Sequence, residues 1–189
     1  LVEWDMDGFK FDFIDSFSNI TWEEQKTGGE GQDFTSVFDA AVHFMEEVLG
    51  RLKEIKPDLL VEFRQNYTGP MMRKYCNIFR AADCPADAGE NRIRTLDIRL
   101  LAGNTAVHSD MVMWHPSDTA ENAAMQLIHT LFSVPQLSVL LDKLPREHVD
   151  MIRHWLSFWK KHRDVLLDGK LMPLYPQHHY PVVMAGTDR

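Results

Sequence analysis

The chain has 189 residues, 44% hydrophobic and 25% charged, a composition that supports a globular domain with a buried core. With 20 basic against 28 acidic side chains the net charge is −8, which argues against nucleic acid as a partner because no basic stripe is available to displace counterions. No apolar run approaches the length needed to span a membrane.

The elements alternate between strand and helix. Gly8 to Ile14 carries Phe9, Phe11 and Phe13 in alternation with Lys10 and Asp12, the period-two pattern of a strand, so Lys10 and Asp12 share one face. After a glycine-rich loop (Thr27-Gly28-Gly29-Glu30-Gly31), Asp33 is expected to cap a helix from Phe34 to Ile55, which Pro57 ends. Leu59 to Phe63 reads as a short buried strand, and Arg64 to Pro70 as its loop. A third strand is expected over Tyr75 to Ala81, then a helix from Ala88 to Leu101 capped by Asp87. A fourth strand follows near Asn104 to His108. Ala120 to Phe132 reads as helix, Leu137 to Leu141 as a fifth strand, and Pro145 opens the longest amphipathic helix, ending near Asp168-Gly169. On that helix Val149, Ile152, Trp155, Leu156 and Trp159 make one apolar face, and the basic run Lys160-Lys161-His162-Arg163 complements its dipole. Tyr180 to Met184 looks like a strand of a separate all-β unit.

Five β–α repeats in one direction imply a parallel sheet with right-handed crossovers. The fold class is α/β, as part of a (β/α)8 TIM barrel: residues 1–170 would supply about strands 4 to 8, and residues 171–189 the start of a C-terminal β-sandwich domain. The opening Leu1-Val2-Glu3-Trp4 has almost no lead-in before the first strand, so the chain reads as a piece of a longer polypeptide and localisation stays unknown. Open edges of a partial sheet would favour a homo-oligomer.

The chemistry-bearing residues fall at strand ends: Lys10 and Asp12, Glu62 and Arg64, Asp83, then His108 and Asp110. That rim is where α/β barrels keep catalytic groups. Two carboxylates from different strands can divide the labour of glycoside hydrolysis, one attacking and the other donating a proton. Lys10 beside Asp12 favours an ionised nucleophile, whereas the apolar neighbours Phe79, Ala81 and Ala82 favour an Asp83 that keeps its proton. Trp4, Phe9, Phe11, Phe13, Tyr67, Phe79 and Trp114 could stack on sugar, although alternate aromatics in such strands more often fill the core. Cys76 and Cys84 read as buried free thiols. Adjacent His178 and His179 cannot easily share an ion, so no metal and no cofactor are expected. His43, His129, His154 and His162 read as surface or packing residues on helices. A magnesium- or manganese-binding rim is the rival enzyme class.

Asp7-Gly8-Phe9-Lys10-Phe11-Asp12 resembles the nucleophile strand of glycoside hydrolase clan D, most closely family 36, the α-galactosidase-like enzymes, in which an aromatic-flanked Lys-x-Asp ends the fourth barrel strand. Asp83, after Asn77-Ile78-Phe79-Arg80-Ala81-Ala82, resembles that family's acid strand. The segment from Leu144-Pro145-Arg146-Glu147 to Leu167-Asp168-Gly169 resembles its last barrel helix and the exit to a C-terminal β domain. The resemblance implies a retaining hydrolase of terminal α-linked sugars on an oligosaccharide or glycoside. It makes Asp12 the nucleophile, Asp83 the acid/base, and Lys10, Arg64, Asn66, Arg80 and His108 substrate ligands. Arg64-Gln65-Asn66-Tyr67-Thr68 replaces the family's Cys and glycine-rich run, and Asp83-Cys84-Pro85-Ala86-Asp87 is one residue longer than the usual pattern. An α-glucosidase-like relative (family 31) or a non-catalytic glycan-binding fragment is therefore the alternative.

Overall fold

The computed structural model describes residues 3–14, 31, 33–64, 67–81 and 83–188. The architecture is mixed α/β, with a parallel sheet of four strands in the order β1-β2-β3-β4. The chain divides into two compact units, Leu1–Ile78 and Phe79–Arg189.

In the first unit, β1 (Gly8–Lys10) pairs with β2 (Leu60–Arg64), with Gly8 opposite Leu60 and Lys10 opposite Glu62. A side chain at Gly8 would bring its Cβ to 2.3 Å from the Leu60 carbonyl oxygen, so this approach admits only glycine. Between the strands runs α1 (Val37–Ile55), whose Met45 and Leu49 are buried, as are Leu59, Val61 and Phe63 in and beside β2. Lys56 ties the helix end to the start of β1, donating to Asp7 Oδ1 at 2.8 Å and to the Met6 carbonyl at 3.1 Å. That ammonium holds the Asp7 carboxyl below its ordinary range. A 3-10 turn, Pro70–Lys74, precedes β3 (Ile78–Arg80). The Asn77 side chain edges β2, accepting from Val61 N–H at 2.8 Å and donating to the Leu59 carbonyl at 3.0 Å.

In the second unit α2 (Ala88–Ala102) leads to β4 (Ala106–His108), α3 (Ala120–Ile128) and the long α4 (Arg146–Asp168). Val112, Trp114, Ala123, Leu127 and Ile152 form the buried cluster there, with Leu137, Val139, Met151, Trp155 and Leu156 packed around it. An antiparallel hairpin, β5 (Lys170–Leu174) and β6 (Val182–Gly186), follows α4.

Several expected boundaries move, each for a local reason. β1 stops at Lys10 because the Asp12 carboxylate accepts the Phe13 N–H at 3.0 Å, and Phe13 takes φ of +56°. Ser36, not Asp33, caps α1: its hydroxyl accepts from Asp39 N–H at 3.0 Å and donates to the Asp39 carboxylate at 2.6 Å. The third strand begins three residues late, after the 3-10 turn and the Asn77 bonds. α3 ends at Ile128, followed by a turn in which the Thr130 hydroxyl donates to the Gln126 and Leu127 carbonyls. The fifth strand, Leu137 to Leu141, does not form. Single parallel bridges at Val134 and Leu137 flank Pro135, which has no N–H for a ladder, and Leu141–Lys143 is a 3-10 turn. Asp87 and Gly169 cap α2 and α4 where their sequence positions indicate.

Candidate active site

In the first unit the chain around Asp12 is fixed from both sides. The Tyr67 phenol donates to the Phe11 carbonyl at 2.8 Å, and the Phe63 ring meets Phe11 and Tyr67 edge-on, at 5.9 and 5.5 Å between centroids. Just beyond, the Arg64 guanidinium lies 5.8 Å from the centre of the Phe13 ring. These contacts orient a carboxylate that two cations share. Arg64 Nη1 donates to Asp12 Oδ2 at 3.0 Å, and Lys10 Nζ lies 3.4 Å from the same oxygen. The other oxygen takes the Phe13 N–H. The Asp12 side chain keeps 28% exposure, so it is held yet open to approach. Lys10 and Asp12 therefore do meet on one face, although the strand ends between them.

In the second unit Arg80, at the end of β3, ion-pairs through Nη1 with Asp110, and both side chains are buried. Its Nη2 lies 3.3 Å from Asp83 Oδ1. The two strand-end loops are also stitched by backbone, with Ala81 N–H donating to His108 O at 3.0 Å and Cys84 N–H to Asp110 O at 3.1 Å. His108 is buried, and its Nδ1–H donates to the Ser109 carbonyl at 3.2 Å. The expectation of an apolar setting for Asp83 is corrected: the Arg80 guanidinium lies beside it, and its side chain is 46% exposed. Phe79 and Ala81 are buried in the core.

The structure thus gathers Lys10, Asp12 and Arg64 into one cluster, and Arg80, Asp83 and Asp110 into another. Asn66 lies outside the described residues, as do Ala82 and the glycine-rich residues 27–30. Of the aromatics, Tyr67, Phe79 and Trp114 are core, while Trp4 and Phe13 are exposed. Among the described residues no three His, Cys, Asp or Glu side chains converge as a metal site would require.

Two polar residues escaped the sequence reading. His148 is fully buried on α4, and its Nδ1 accepts from the Trp114 indole N–H at 3.1 Å while Nε2–H donates to the Asp118 carbonyl at 2.9 Å. This pair of bonds defines one neutral tautomer. Gln126 on α3 donates from Nε2 to the Ala86 carbonyl at 2.9 Å. Both bonds join positions far apart in the chain, which no local pattern signals. No protein-family model matches this chain, and no curated protein matches it significantly.

Proposed function

We propose that the chain belongs to a retaining glycoside hydrolase, α-galactosidase-like, acting on terminal α-linked sugars and carrying its site on a partial (β/α)8 barrel. The observation that carries this reading is Asp12, an accessible carboxylate positioned by Lys10 and Arg64 and by a locked backbone on either side. In the proposed first step an Asp12 oxygen attacks the anomeric carbon. The C–O bond to the leaving group breaks, and Asp83 gives that oxygen its proton. In the second step Asp83 takes a proton from water, which attacks the same carbon and releases Asp12. Lys10 and Arg64 hold the Asp12 carboxylate in place and are placed to bind a neighbouring sugar hydroxyl. Arg80 fixes the orientation of Asp83.

The test is covalent trapping. A fluorinated glycoside that forms a slow glycosyl–enzyme should label Asp12 in the full-length chain, and Asp12→Ala should lose turnover by orders of magnitude. Asp83→Ala should retain activity on activated aryl glycosides, with azide raising its turnover by attacking the intermediate without a base. A label on another residue, with Asp12→Ala still active, would remove the assignment. A panel of α-galactosides and α-glucosides decides the sugar.

A further inference from the structure

We propose that Glu62 is a positioning residue for the reaction at Asp12: it is the second carboxylate of a shared charge cluster, and its negative charge survives when Asp12 becomes a glycosyl ester. The role in turnover rests on the hydrolase reading; the shared cluster does not. Glu62 stands on β2 directly opposite Lys10 of β1. In a parallel pair such partners project to the same face, from strands about 4.8 Å apart.

The register is fixed on either side of this pair. Gly8 lies so close to Leu60 that no side chain fits there, which prevents a one-residue slip. Beyond it, Phe11 N–H donates to the Glu62 carbonyl at 3.0 Å and carries the pairing on toward Asp12. β2 is sorted by face in the same sense, with Val61 and Phe63 buried in the core and Glu62 half-buried on the other side. Asp12 and Arg64 complete the pattern with their ion pair at 3.0 Å. The face thus carries Lys10 opposite Glu62 and Asp12 opposite Arg64. Each cation has a carboxylate across from it and another two residues along its own strand. The other charges near β1, Asp5, Asp7 and Lys56, pair with one another at its opposite end.

This arrangement acts differently on the two chemical steps. When an Asp12 oxygen bonds to the anomeric carbon its charge is lost, and of the cluster only Glu62 remains to face Lys10 and Arg64. Glu62 therefore eases formation of the ester, and it also favours the positive charge that develops on the sugar. In the second step the two influences oppose each other. The sugar again turns positive, which Glu62 favours, while Asp12 regains its charge, which Glu62 disfavours. Removing the Glu62 charge should slow the first step and leave the second nearly unchanged. A residue that only held the strands together would slow both.

The experiment uses the full-length chain with Glu62→Gln, which keeps the side chain's shape without its charge, and Glu62→Asp, which keeps the charge. A fluorinated glycoside separates the steps: the rate of trapping reports the first, and the rate of recovery after excess inhibitor is removed reports the second. Glu62→Gln should trap about tenfold more slowly, the effect of one partly screened unit charge beside the reacting carboxylate, while recovery changes by less than about twofold. Glu62→Asp should restore part of the trapping rate. A second readout needs no substrate. Among urea midpoints of Glu62→Gln, Asp12→Asn and the double variant, the double should lose more than the sum of the singles, because both cations then face no carboxylate of the cluster. Equal slowing of trapping and recovery, or none, would overturn the role of Glu62 and leave Asp12 as the nucleophile. No label at Asp12 in the wild type, with midpoint losses that exceed the sum, would keep the shared cluster and discard the hydrolase. Additive losses would overturn the cluster itself.

Discussion

Asp12 in the first unit and Asp110 in the second are both carboxylates held by arginine, but they differ in what surrounds the pair. Asp12 keeps over a quarter of its side chain in solvent and shares its charge between Arg64 and Lys10. Asp110 and Arg80 are both under a tenth exposed. Water competes for the first pair and screens it, so its formation adds little to folding. The second pair has left water, and each partner depends on the other to offset the loss of hydration. One arrangement suits a group that reacts; the other suits a group that positions.

The largest expected effect follows from this contrast. Asp110→Ala should cost about 3–5 kcal/mol in unfolding free energy, because it removes the buried carboxylate that pairs with Nη1 of the Arg80 guanidinium and leaves only the half-exposed Asp83 at Nη2. Asp12→Ala should cost about 1 kcal/mol, the discounted worth of a partly exposed pair. Urea unfolding of the two variants beside the wild type provides the comparison. Equal losses would show that burial does not separate the two sites.

A smaller effect tests whether neutral polar pairs in the second unit follow the same rule. Trp114→Phe removes the donor to His148 Nδ1 and should cost about 1–3 kcal/mol, since His148 keeps a buried acceptor with nothing to accept from. In a double-mutant cycle with His148→Leu, the two losses should fall short of additivity by about 1 kcal/mol. Nitrogen NMR of the wild-type ring should report Nε2 protonated and Nδ1 bare. A ring with the proton on Nδ1 would contradict the indole bond.

Much of this was legible in the chain, and the misses share a cause. The Lys10–Asp12 pair follows from period two, and the Asp87 cap and the start of α4 follow from standard end signals. Asp33 and Ser36 both precede the apolar run of α1, and only the Asp39 partner three residues on selects Ser36 as its cap. β5 carries Pro173, which a two-stranded hairpin tolerates opposite Val183 although proline is a poor strand signal. The polar bonds of Arg80, His148 and Gln126 join residues 30, 34 and 40 positions apart. Such contacts are decided by tertiary packing and leave no periodic trace in the sequence.

The smallest effect concerns a pair at the rim of the second unit. The Tyr180 phenol donates to Asp97 Oδ1 at 2.6 Å, and this bond, with burial, pushes its pKa up to about 12. The sign follows from which form is favoured. Folding holds the neutral phenol, so its contribution is fully present below the unfolded value of about 10 and is lost as pH rises through the folded value. Of the four tyrosines, Tyr180 should therefore ionise late in a tyrosinate absorbance titration of the native chain. Asp97→Asn removes the anionic acceptor and should bring that step back toward the ordinary range, without altering stability at neutral pH by more than about 1 kcal/mol. Because the Asp97 bond is the larger cause, a step that stays late in Asp97→Asn would assign the shift to burial alone.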